Sequence, residues 1–197
     1  MRRSAFILAS LAAGWILTAT SMATAASGPG RPDAYGNAYG GDLTDGRPLA
    51  SPIPRQTVAY DGPYAPGTIV VSTHERRLYF VLPDHQALKY GVGVGRPGFT
   101  WSGVTFVANK REWPDWTPPA QMLLRRPDIP RHMAGGIDNP LGARALYLGG
   151  SLFRIHGSNE PDTIGEAVSS GCIRMTNDDV TDLYQRASVG AKVVVER

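Results

Sequence analysis

A single cysteine, Cys172, and four histidines are the side chains of this 197-residue chain best suited to nucleophilic attack and proton transfer. A thiol with an ordinary pKa near 8.5 is only a few per cent thiolate at neutral pH, so it needs a base within hydrogen-bond reach. Cys172 stands in Ser169-Ser170-Gly171-Cys172-Ile173-Arg174-Met175, where small residues and a glycine let a ligand approach the backbone closely. Upstream, an apolar run ends in His156-Gly157, placing an imidazole where a strand stops. Sixteen positions separate His156 from Cys172, a span one loop can close. The alternative is a structural histidine at a strand end and an inert, core-filling thiol.

Other chemistries fit poorly. Gly93-x-Gly95-x-x-Gly98 has the letters of a dinucleotide-binding turn, but Pro97 interrupts it and no helix follows to cradle a pyrophosphate. His74, His85, His132 and His156 lack metal-ligand spacing, and one cysteine cannot build a structural zinc site, so no metal is expected. Neither a Ser-x-x-Lys site nor a Gly-x-Ser-x-Gly elbow is present. Seventeen arginines and three lysines against 17 acids leave a net charge of +3, with no basic stripe to suggest a nucleic-acid partner.

The elements that would hold the histidine and cysteine are mostly short strands. Runs rich in Val, Ile, Tyr and Phe at 68–73, 77–82, 87–94, 104–109, 145–148, 152–156 and 193–195 are separated by turn residues. With few helices for parallel crossovers, they predict a mainly β fold, a sandwich or barrel of mixed sheets. One helix is expected after Thr176, which forms a capping pattern with Asp179 ahead of Val180, Leu183, Tyr184 and Ala187 on one face. Residues 112–138, rich in Trp and Pro, read as a long functional loop with room for a short helix at 120–125. Trp113 and Trp116 fit either a core role under that loop or a substrate-binding one.

Three regions are therefore expected. Residues 1–25 carry Arg2-Arg3, an apolar stretch at 5–17 and an Ala23-Thr24-Ala25 cleavage pattern, the features of a secretory signal peptide. The apolar stretch falls short of the roughly 20 residues that span a bilayer as a helix, so no transmembrane segment is expected after cleavage. Residues 26–66 contain seven Gly and seven Pro and read as a flexible linker; residues 67–197 are expected to form the folded domain that carries His156 and Cys172. Export to the periplasm or cell wall makes an unpaired cysteine conspicuous, since exported proteins normally pair theirs.

His156-Gly157 followed by Ser169-Ser170-Gly171-Cys172-Ile173-Arg174-Met175 resembles the signature of YkuD-type L,D-transpeptidases, cysteine enzymes of bacterial peptidoglycan cross-linking. The likeness extends through 91–95 and 139–148 and covers roughly residues 67–196. It implies Cys172 as nucleophile, His156 as general base and acid, and the Gly157 carbonyl as the group orienting the imidazole. It further implies that the Gly171 and Cys172 N–H groups face an oxyanion. Ser170 and Arg174 would meet the substrate, with Arg174 either holding a carboxylate or making a structural ion pair. Where some members carry a second histidine before the Gly-Cys, this chain has Ser170.

On this resemblance the chain is expected to need no cofactor. The donor would be a peptidoglycan stem peptide that loses its terminal D-alanine, and the thioester would be one that carbapenems can mimic. The acceptor would be an amine, either a second stem or a lysine-bearing envelope protein. Water as acceptor would instead give an L,D-carboxypeptidase or endopeptidase, and a silent site would leave a wall-binding module. A papain-like enzyme is disfavoured because its cysteine precedes its histidine.

Overall fold

A computed structural model describes residues 51–197, with strands β1 (Gln56–Ala59), β2 (Ile69–Ser72), β3 (Arg77–Leu82), β4 (Gln86–Gly91), β5 (Val94–Gly95) and β6 (Gly103–Glu112). Helix α1 (Ala120–Arg125) and strands β7 (Arg144–Leu148), β8 (Arg154–His156), β9 (Ala167–Ser169) and β10 (Ile173–Arg174) come next. Helix α2 (Asn177–Arg186) and strand β11 (Lys192–Glu196) complete the chain. The signal peptide expected at 1–25 and the first part of the linker, 26–50, lie outside the described residues. Among the described residues no helix is long and apolar enough to cross a membrane.

The fold is mainly β, as the strand-like runs imply. Nine strands form one mixed sheet in the order β1-β4-β3-β2-β11-β6-β7-β8-β10, and β5 and β9 form a second, parallel pair. Strand β6 turns the corner of the large sheet. Its first half pairs antiparallel with β11, its second half with β7, and the register shifts between Val107 and Asn109. A bulge at such a point bends the strand and raises its twist, folding one half of the sheet toward the other. Between the halves sit Ile69, Val71, Leu78, Tyr90, Leu146, Ile155, Val193 and Val195, all nearly or fully buried.

Helix α2 closes this core with Val180 and Leu183. Thr176 caps it as the sequence suggests, its hydroxyl accepting from the Asp179 N–H at 3.2 Å. At its other end Lys110 donates to the Tyr184 and Ala187 carbonyls at 2.5 and 2.7 Å. A cation on those otherwise unpaired helix-end carbonyls also opposes the negative end of the helix dipole.

The structure departs from the sequence expectations in three places. Residues 56–59, assigned to the linker, form edge strand β1 against β4, and Arg55 reaches Asp179 and Asp182 of α2 at 3.4 Å each. Only Val58 of β1 is even half-buried, so no apolar alternation marks it. The run expected at 87–94 breaks after Gly91, where the chain leaves its pairing with β3 and Gly93 bridges Arg174 of β10. β9 and β10, only three and two residues long, were not anticipated.

Candidate active site

His156 ends β8 and is held from both sides. It is registered with Ala145 of β7, and its carbonyl accepts from the Met175 N–H at 2.8 Å. Strand β10 runs parallel to β8 with Ile173 beside Ile155 and Arg174 beside His156. Side chains alternate along a strand and registered neighbours share a face. Ile155 and Ile173 point into the core, so His156 and Arg174 take the opposite face. Cys172 lies just outside β10, two positions before Arg174, at the end of the turn that leads into this strand. It is partly exposed, so the thiol is not sealed in apolar packing.

The imidazole is fixed in one tautomer. His156 Nδ1 lies 2.6 Å from the Gly157 carbonyl oxygen, which can only accept, so Nδ1 carries the proton and Nε2 a lone pair. Burial lowers the pKa of this histidine to about 3; the Arg174 and Arg154 charges push the same way, against the Gly157 bond. The ring is therefore neutral at physiological pH and free to accept a proton.

The position of the Gly157 carbonyl comes from the turn at 139–143. Asn177, first residue of α2, accepts from the Ala143 N–H at 2.8 Å. A Cβ at Gly157 would come within 2.3 Å of the Asn177 Oδ1, so only glycine permits this approach. Asn139 is buried and anchors the long segment that precedes it, donating to the Pro114, Met133 and Ala134 carbonyls at 3.1, 3.3 and 2.9 Å.

The loop before the thiol is pinned by side chains. The Ser169 hydroxyl donates to the Cys172 carbonyl at 2.6 Å and accepts from the Gly171 N–H at 3.1 Å. The Trp101 indole donates to the Gly171 carbonyl at 2.8 Å while its ring stacks on Phe153, with centroids 4.8 Å apart. Gly171 has φ +111°, and a Cβ there would meet the Phe153 ring at 2.4 Å. Glycine is required on both counts.

Two of the expected site groups have protein partners here. The Gly171 N–H, expected to face an oxyanion, is taken by Ser169 Oγ, because that hydroxyl closes the 169–172 turn from inside. Arg174, one of the two substrate-contact candidates, forms an ion pair with Glu160 at 2.9 Å, the structural alternative. Ser170 accepts from Arg96 Nη1 at 3.2 Å. Trp113 and Trp116 are half-buried outside the central core, and Trp116 bridges Met133 within the long segment. Sequence reasoning missed Trp101, Phe153 and Arg96. All three lie in or next to turns, and only the packing around Gly171 brings them to the site.

Comparison with known proteins agrees with this architecture. The family model for YkuD, described as the L,D-transpeptidase catalytic domain, matches residues 66–195. Probable L,D-transpeptidase YcfS of Escherichia coli (strain K12) is 37% identical over 151 residues, covering 72% of this chain and 47% of that protein. A putative L,D-transpeptidase from the ATP synthase subunits region of Fuscovulum blasticum is 34% identical over 130 residues, 64% of this chain and 68% of that one. In fold, the solved catalytic domain of an E. faecium L,D-transpeptidase matches 68% of this chain and 99% of its own, with TM-score 0.52 and 20% identity. The chain spans about half the length of the E. coli relatives it matches.

Proposed function

Because the chain belongs to the YkuD family of L,D-transpeptidase catalytic domains, we propose that it is an exported cysteine acyltransferase of peptidoglycan stem peptides. The observation that best supports this reading is the pairing of β8 with β10, which lays the residues directly after a partly exposed Cys172 beside the neutral, single-tautomer His156.

The chemistry runs in two halves. Cys172 Sγ attacks the carbonyl that links the stem's third residue to its terminal D-alanine, and its proton passes to His156 Nε2. With its proton affinity lowered, the imidazole takes that proton as the S–C bond forms rather than storing it beforehand. Collapse of the tetrahedral state breaks the C–N bond, and His156 returns the proton to the departing amine. A thioester remains on Cys172. An acceptor amine then attacks it, gives a proton to His156 and restores the thiol. The acceptor is a second stem or a lysine of an envelope protein, and the setting is the periplasm or cell wall.

The developing oxyanion draws on the Cys172 N–H. Gly171 N–H joins it only if the Ser169 hydroxyl turns away. One such donor commonly contributes about 2.7–4 kcal/mol to the transition state.

The test is to incubate the full chain with a stem tetrapeptide and an amine acceptor, then follow both protein and products by mass spectrometry. The expected result is a peptide adduct on Cys172 with release of D-alanine, followed by amide formation with the acceptor. Product containing only trimmed peptide would assign water as acceptor. Absence of any adduct on Cys172 would overturn the thioester route.

A further inference from the structure

Arg96 follows β5 directly and lies against the thiol loop: its N–H donates to the Ser169 carbonyl at 3.0 Å and its Nη1 to Ser170 Oγ at 3.2 Å. Its guanidinium carbon lies 4.2 Å from the centroid of the Phe99 ring. Arg125, the last residue of α1, approaches the same ring at 5.3 Å. Two like charges from separate parts of the chain thus converge on one aromatic ring, beside the residues that lead into Cys172.

Such convergence sets up a local positive potential that favours an anion. Among the described residues no carboxylate forms an ion pair with either arginine, whereas Arg55, Arg126, Arg144, Arg174 and Arg186 each have one. A guanidinium that lies over an aromatic ring keeps its N–H donors around its edge, and these suit a planar carboxylate. Arg96 uses one of its five donors on Ser170 and is only half-buried, so others remain open to solvent.

We propose that Arg96 and Arg125, gathered on Phe99 beside Ser170, form the subsite that holds a free carboxylate of the acyl-donor peptide. This rests on the acyl-transfer reading above and assigns to these two residues the anion-holding part that the resemblance offered to Arg174. α1 thereby acquires a purpose: it carries a positive charge from the long 112–138 segment to the rim of the thiol loop.

The test uses equilibrium binding, so that it stands apart from turnover. The full chain carrying Cys172→Ala is titrated calorimetrically with a stem tetrapeptide ending in D-alanine, and with the same peptide in which every carboxylate is a carboxamide. The acid should bind on the order of 10-fold more tightly than the amide, with the preference shrinking as salt rises. Adding Arg96→Gln and Arg125→Gln together should cut that preference to less than about 2-fold by weakening the acid alone. The proposal is overturned if the acid form does not bind, if acid and amide bind alike before the arginines are changed, or if the double change leaves their ratio intact. Equal weakening of both peptides also overturns it, since that marks a merely structural loss of the loop. Adduct formation on Cys172 of the unaltered chain is scored separately, so failure of this subsite and failure of the thioester route leave different records.

Discussion

The turn that contains the thiol and the long segment between β6 and β7 are built in opposite ways. The 169–172 turn is held from within and from its sides by the Ser169 hydroxyl, the Trp101 indole and the Phe153 ring. The 112–138 segment contains one short helix with no buried residue and one isolated bridge, and is tied at its end by the Asn139 side chain. The contrast separates two demands. Acyl transfer needs a nucleophile and its donors held to a fraction of an ångström, whereas choice among bulky peptide substrates is served by a rim with few buried contacts.

Changes in the tight region should have the largest effects. Cys172→Ala should abolish adduct formation while leaving the unfolding transition in place, because the side chain is small and partly exposed. Gly171→Ala forces a Cβ into the Phe153 ring at a left-handed φ. It should lower the acylation rate by about 10²–10³-fold, the scale of a displaced oxyanion donor, and stability by about 1–3 kcal/mol. Stopped acylation assays and denaturant melts check both.

The buried imidazole sharpens the comparison through pH. Its folded pKa of about 3 lies below the unfolded value near 6.5, so between these limits the unfolded chain binds more protons and stability falls as pH falls. The contribution is complete above pH 6.5 and is lost toward pH 3. Lowering the pH from 6.5 to 5 should remove about 2 kcal/mol of stability, by urea melts, and His156→Gln should flatten that dependence. An unchanged slope in the variant would transfer the effect to other groups.

In the looser region, Asn139→Ala removes donors to three carbonyls and should cost about 1–3 kcal/mol in stability. If the rim serves binding, KM should rise more than kcat falls; an equal loss in both would make the segment part of the chemistry. The smallest effect is expected for Trp101→Phe. It keeps a ring to stack on Phe153 but loses the indole bond to Gly171, which should cost about 1 kcal/mol and a few-fold in acylation.

Much of the scaffold was legible from local pattern. The strand at 77–82, the short helix at 120–125 and the capped helix after Thr176 all lie where turn residues, periodicity and capping placed them. Strands β1, β9 and β10 were not legible. They hold two to four residues, and what makes them strands is pairing with β4, β5 and β8 rather than any preference of their own. The same holds at the site. Ser169 and Gly171 stand visibly beside the cysteine, but the bond between them, which occupies the Gly171 N–H, depends on the turn's folded shape.

The amino-acid order alone determined which atoms could react, a thiol and an imidazole sixteen positions apart, and the β-rich class of the chain, since residue types and periodicity are local properties. Tertiary structure decided the rest: that the strand after the cysteine pairs with the strand ending in the histidine, which nitrogen of His156 keeps its proton, that Glu160 engages Arg174, and that Arg96 and Arg125 meet at Phe99. Those outcomes depend on burial and on contacts between residues distant in the chain, where charge and hydrogen bonding are set by neighbours that no local window contains.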